Sequence, residues 1–151
     1  MKQKAIIVDL DGTIADNEHR VKYIDGSQKK DWDKFNALSA EDTVIEWCLD
    51  LVRGFHGLGY RIVFLTARSE SKGTREITET WLRERVGPHV PDYDLVMRDG
   101  KDYRTDFITK QDLYMQHIAP KYDVAFAIDD KLAVCTMWRG LGIPAIHCKD
   151  Y

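Results

Sequence analysis

Asp9 and Asp11 stand one position apart where the apolar run of AIIVDLDGTIAD (residues 5–16) ends, with Gly12 and Thr13 directly after them. A carboxylate is ionised at neutral pH and can attack without a base to activate it, while a second one nearby can give or take a proton. Other polar residues follow apolar runs further along: Thr66 and Arg68 close RIVFLTAR, and Asp129 and Asp130 close VAFAIDD. Carboxylates that converge repel one another unless a cation lies among them, and hard oxygen ligands of this kind suit Mg²⁺. Asp9, Asp11, Asp129 and Asp130 are therefore candidate metal ligands. Lys110 would add a fixed positive charge, and Asp106, four residues before it, is placed to hold its ammonium group on one helix face. A divalent cation and a lysine facing acids would attract and neutralise a phosphate.

These residues can meet only if strand ends converge. Five short runs, AIIVD (5–9), RIVFLT (61–66), YDLVMR (93–98), VAFAID (124–129) and PAIHC (144–148), are nearly continuous in hydrophobicity, as strands covered on both faces are. Helical patterns alternate with them. The one over residues 40–59 takes Ser39 or Asp42 as N-cap and puts Val44, Ile45, Trp47, Cys48, Leu51, Val52 and Phe55 inward; others cover 74–87, 106–120 and 131–142. The alternation predicts an α/β, Rossmann-like fold: a parallel five-stranded sheet with helices on both faces. Ligands of such sheets bind at the carboxyl ends of the strands. Residues 16–38 break the rhythm as a polar insertion beside the carboxylates, and read as a small cap after strand one.

At 151 residues and 44% hydrophobic content the chain is sized for a single domain over residues 1–151. A net charge of −3 excludes a polycation that coats nucleic acid or membranes. The three cysteines lack the pairing of a disulfide framework or zinc knuckle, and the five histidines lack ligand spacing, so all are read as structural. No apolar stretch approaches ~18 residues, and the predicted location is the cytoplasm, without a membrane partner.

With these residues in order, the chain resembles the haloacid dehalogenase superfamily, most of whose members are Mg²⁺-dependent phosphatases. DLDGT at 9–13, Thr66, Lys110 and the pair Asp129–Asp130 look like its four motifs. More narrowly, it resembles the 3'-phosphatase domain of phage-type polynucleotide kinase/phosphatase, through Arg20, TAR at 66–68, RTDFITK at 104–110 and HIAPKYDVAFAIDDKLAVCTMWRGLGI at 117–143. The resemblance implies a HAD-like phosphatase acting on nucleic acid 3'-phosphate ends with Mg²⁺. Asp9 would be nucleophile and Asp11 general acid and base, with the Asp11 backbone carbonyl on the metal. Thr66 and Lys110 would hold phosphoryl oxygens, with Gly12, Thr13 and Asp106 on the phosphate-binding side, and Arg20 and Arg68 would grip substrate from the rim.

For a polynucleotide the rim would be basic through Arg20, Lys22, Arg68, Lys72, Arg75, Arg98, Lys101 and Arg104, and Tyr23 or Trp32 would stack a terminal base. No G-x-x-x-x-G-K-[ST] loop occurs, so the expectation is a phosphatase without a kinase half. A separate kinase or ligase is an expected partner, and an oligomer stays open. The alternatives are a 5'(3')-nucleotidase acting on mononucleotides and a module that binds phosphorylated ends without catalysis.

Overall fold

Ala5, Ile6, Ile7 and Val8 are each at most 2% exposed, so the first apolar run is covered on both faces, as the central strand of a parallel sheet must be. The computed structural model describes residues 1–26 and 29–149; Ser27 and Gln28 of the insertion, and the last two residues, lie outside the description. The elements in chain order are β1 (Gln3–Val8), β2 (Ala15–Asp16), α1 (Trp32–Ala37), β3 (Thr43–Val44), α2 (Glu46–Gly57), β4 (Arg61–Ser69), α3 (Thr74–Arg85), β5 (Asp94–Arg98), α4 (Asp106–Leu113), β6 (Tyr122–Asp129), α5 (Leu132–Gly140) and β7 (Ala145–His147). A 3₁₀ turn at Glu18–Tyr23 precedes α1, and a π-helical turn at Tyr114–Ile118 extends α4.

The five-stranded sheet runs β5-β4-β1-β6-β7, every pairing parallel. Ile6, Val8, Ile62 and Phe64 face one side with Cys48, Leu49 and Val52 of α2 and Trp81 and Leu82 of α3. Ala5, Ile7, Val63 and Leu65 face the other with Ile118, and with Val134 and Trp138 of α5. The alternation along one strand thus feeds two cores. The chain passes from β1 to β4 and β5 on one side and then returns to β6 and β7 on the other, and at that reversal beside β1 the loops part and open a crevice at the strand ends.

The helix expected over 40–59 begins only at Glu46. Thr43 and Val44 instead pair antiparallel with Asp16 and Ala15 as a two-stranded sheet, in keeping with the extended preference of β-branched residues. Neither Ser39 nor Asp42 caps α2; Ile45 occupies that position with no side-chain bond. The β2–β3 ribbon ties together the two ends of the insertion. Trp47, expected in the core, is 47% exposed on the outer side of α2.

Candidate active site

The chain turns sharply after β1: the Asp9 N–H is donated to the Ile128 carbonyl at 3.1 Å, and Leu10 O accepts from the N–H groups of Thr13, Ile14 and Ala15. Gly12 has φ +78°, and a Cβ there would lie 2.3 Å from Asp130 Oδ2, so glycine is required both by the backbone and by the approach of that acid. Thr13 Oγ1 donates to Asp9 Oδ2 at 3.0 Å, orienting the carboxylate. Strand β6 delivers Asp129 and Asp130 beside it. One oxygen from each of Asp9, Asp129 and Asp130 lies within 4.8 Å of the others, and all three residues are buried.

Lys110 reaches this cluster from α4, donating to Asp9 Oδ1 at 2.8 Å and Asp129 Oδ2 at 2.6 Å. Burial, then Asp129 and Asp130, push the Asp9 carboxyl well above the usual carboxylate range, against the pull of Lys110. Burial works against the lysine's charge as well, but Asp129 and Asp9 outweigh it and hold its pKa above the ordinary lysine value. The Lys110 ammonium thus stands among three buried acids. A hard divalent cation fits that oxygen set, and the crowding of Asp130 over the bare Gly12 backbone brings the third donor in.

Asp11 occupies the opposite environment. Arg68 grips it with two bonds, Nε to Oδ2 at 3.0 Å and Nη2 to Oδ1 at 2.6 Å, and Arg20 Nη2 joins on Oδ1. Burial alone would raise this carboxyl, but Arg68 and then Arg20 overturn it and hold its pKa far below the usual range. Its side chain is absent from the acidic cluster, so any contribution to a metal falls to the backbone carbonyl. Arg20 and Arg68 are not on the rim, as the sequence reading placed them: both are buried. Thr66, at the end of β4, is buried too, and its Oγ1 accepts the Arg68 N–H at 3.1 Å.

Two buried guanidinium groups need more than one counter-charge. The second is Asp42, fully buried, which sequence reasoning treated only as a cap. It accepts Arg20 Nε at 2.8 Å and Nη2 at 2.7 Å, lies 3.3 Å from Arg68 Nη2, and pairs with His19 Nε2 at 2.7 Å. Its carbonyl takes the Trp81 indole N–H at 2.8 Å. The only signal for it in the sequence was the presence of two arginines in need of a partner.

Asp106 also departs from expectation. It does not hold Lys110; its carboxylate takes Arg98 Nη2 at 2.8 Å and bonds Lys131 Nζ. Arg98, expected on a basic rim, is buried and donates to Ala67 O and Arg104 O at 2.7 Å each and to Thr109 Oγ1 at 3.0 Å. It ties the strand end carrying Thr66 to the helix carrying Lys110. Of the remaining rim candidates, Lys72, Arg75 and Arg104 are paired with Asp33, Glu70 and Glu79, and Asp102 and Asp112, respectively. At the start of α5, Asp129 Oδ1 accepts the Lys131 N–H at 3.0 Å.

A parallel α/β sheet whose central strand ends in D-x-D-G-T, with a threonine, a lysine and an Asp pair converging from later elements, defines a haloacid dehalogenase-type hydrolase. Solved structures agree with the fold: a class C acid phosphatase from Bacillus anthracis with tungstate bound is 22% identical with TM-score 0.60, over 85% of this chain and 52% of that one. A HAD family enzyme from Bacteroides thetaiotaomicron, a magnesium complex, is 16% identical with TM-score 0.56, over 99% and 94%.

The chain itself belongs to the polynucleotide kinase PNKP phosphatase domain family, whose model matches residues 3–150. A structure of a Pnkp1/Rnl/Hen1 complex contains a chain 31% identical with TM-score 0.80, over 99% of this chain and 48% of that one. A protein of Autographa californica nuclear polyhedrosis virus, whose name pairs polynucleotide kinase with RNA ligase, is 29% identical over 150 residues; they make up 98% of this chain and 20% of the viral protein. The chain thus spans a fifth to a half of the length of these relatives.

Proposed function

We propose that this chain is a Mg²⁺-dependent polynucleotide 3'-phosphatase, removing phosphate from DNA or RNA ends through an aspartyl-phosphate on Asp9. The observation that carries the reading is the Lys110 ammonium bridging Asp9 and Asp129 beside Asp130. Asp9, Asp129 and Asp130 would hold the cation, with the Asp11 backbone carbonyl as a further ligand, and its charge would screen the repulsion between carboxylate and phosphate. Asp9 Oδ attacks phosphorus, the bond to the sugar oxygen breaks, and Lys110, Thr66 and the N–H groups of the Gly12–Thr13 turn stabilise the oxygens as charge spreads.

Asp11 is poised for the second step. Held ionised by its arginines, it is ready to take a proton from the water that hydrolyses the aspartyl-phosphate. For the first step it passes to the departing oxygen the proton that a phosphate monoester carries below its second pKa of about 6. The rate of the first step should therefore fall as pH rises past that value. Arg20 and Arg68 act by fixing Asp11 rather than by gripping substrate.

Among the described residues no helix is long and apolar enough to cross a membrane. A cytoplasmic location, and a kinase or ligase working on the same ends, belong to the proposal. The names of the relatives support the partner reading.

The test is phosphate release by wild type and Asp9→Asn from a 3'-phosphorylated oligonucleotide, its 5'-phosphorylated counterpart and a nucleoside 3'-monophosphate, with and without Mg²⁺. Release from the 3'-phosphorylated strand that needs both Asp9 and Mg²⁺ is expected. Equal turnover of the mononucleotide would favour a nucleotidase, and no release from any substrate a binding module.

A further inference from the structure

The insertion between β2 and β3 presents two aromatic rings near the catalytic carboxylates, and they are not equivalent. Tyr23 has Lys34 Nζ at 4.6 Å and Lys22 Nζ at 5.3 Å from its ring centroid, so its ring is flanked by ammonium groups. Trp32 is 51% exposed and has Lys30 Nζ at 5.7 Å. Trp32 meets Phe35 edge to face at 5.7 Å, and the Phe35 ring lies 4.2 Å from the Arg20 guanidinium carbon. Arg20 in turn bonds Asp11. Two ring contacts therefore separate an exposed indole from the guanidinium that holds the proton-transfer carboxylate.

Neighbouring Asp33 pairs with Lys72 at 3.1 Å, a residue of the loop after β4, so α1 leans on the strand-end side of the sheet where the crevice opens. An exposed indole with one lysine beside it and two more on the neighbouring Tyr23 matches what a single strand of nucleic acid needs, a π-face for a base and cations for the phosphodiesters that follow. Its place on the Asp11 side is where the leaving nucleoside must lie, because the carboxylate that protonates the departing oxygen sits against that oxygen.

We infer that Trp32 is the stacking platform for a base at the 3' end of a single-stranded substrate, with Lys30, Lys22 and Lys34 along the path of its phosphodiesters. Tyr23 serves to position lysines rather than to stack. This rests on the proposed 3'-phosphatase reading and names how that site selects a strand over a small phosphate ester.

The experiment is a thermodynamic cycle between the indole and the base, run on the full chain with a 3'-phosphorylated hexanucleotide. Trp32→Ala is expected to raise KM about tenfold with kcat little changed, and Trp32→Phe to retain most of the affinity. Removing the bases of the last two nucleotides should raise the wild-type KM by a similar factor and add little in Trp32→Ala. Wild-type KM values in Trp32→Ala, or losses that multiply in the cycle, would overturn the assignment while leaving the phosphatase reading intact. Absence of phosphate release from the hexanucleotide by wild type would overturn both. Binding of the same strand to Asp9→Asn, followed by fluorescence anisotropy, provides the same comparison without turnover, and there too an unchanged Kd on adding Trp32→Ala defeats the inference.

Discussion

Asp9 and Asp11 share a turn, yet their surroundings are opposite. Asp9 faces two further acids and one lysine, and its carboxyl is pushed up; Asp11 faces two arginines and is pushed down. Adjacent acids with one residue between them are given different tasks by elements from far along the chain: α4 and β6 surround the first, the insertion and the end of β4 the second. The difference shows that identical side chains acquire roles from the charges brought to them, and that a short motif is a pair of attachment points rather than a finished site.

The comparison breaks most severely at the first carboxylate. Asp9→Asn should lower phosphate release by about a thousandfold or more, measured by inorganic phosphate assay on a 3'-phosphorylated oligonucleotide, since it removes the proposed nucleophile. Lys110→Met should cost on the order of a hundredfold or more in kcat, and should also alter stability by leaving Asp9 and Asp129 facing each other. On the other side, Asp42→Asn keeps Asp11 but strips one counter-charge from two buried arginines. It should destabilise the fold by about 3 to 5 kcal/mol in urea unfolding, with activity falling as Asp11 loses its orientation.

Gly12→Ala sharpens the contrast, because its methyl group meets Asp130 on the acidic side. The Mg²⁺ concentration for half-maximal activity should rise about tenfold, with Arg20 and Arg68 undisturbed. The smallest effect lies far from both carboxylates. At the opposite end of the sheet, burial would raise Asp94, but hydrogen bonds from Arg61 and Tyr122 lower it on balance. Its stabilising contribution is therefore present above the ordinary aspartate pKa and lost as pH falls through the lowered one. Asp94→Asn should shrink the stability lost between pH 6 and pH 3 by about 1 kcal/mol or less, read from acid-titrated thermal melts.

The parallel sheet and the residues at its strand ends were legible because a strand covered on both faces must be apolar throughout and must deliver its polar residues at its end. Asp9, Asp129 and Asp130 meet for that reason, and Lys110 joins them from α4. Arg20 was misread because a charge in a polar insertion looks solvated, whereas the insertion folds over it and supplies the Phe35 ring and carbonyl and the Asp42 carboxylate as partners. The i, i+4 spacing of Asp106 and Lys110 suggested a local pair, but Arg98 and Lys131 take the carboxylate and the lysine goes to the acids. Long-range charges outcompeted local spacing. Trp47 lies next to apolar neighbours in sequence yet outside, because the buried stripe of α2 runs through Cys48, Leu49 and Val52 and leaves it on the outer flank.

The central position of β1 has an assembly consequence. The Asp9 N–H bonds Ile128 O, and its carboxylate meets a lysine 101 residues away. Synthesis from the amino end makes the DLDGT loop and Arg20 together, but β4 and β6 emerge much later, so a nascent chain carries these acids without the Lys110 ammonium and the Arg68 guanidinium that complete their compensation. Proteolytic fragments ending before residue 129 should accordingly lack the acidic cluster, and the proposed phosphate release should appear only once β6 has docked beside β1.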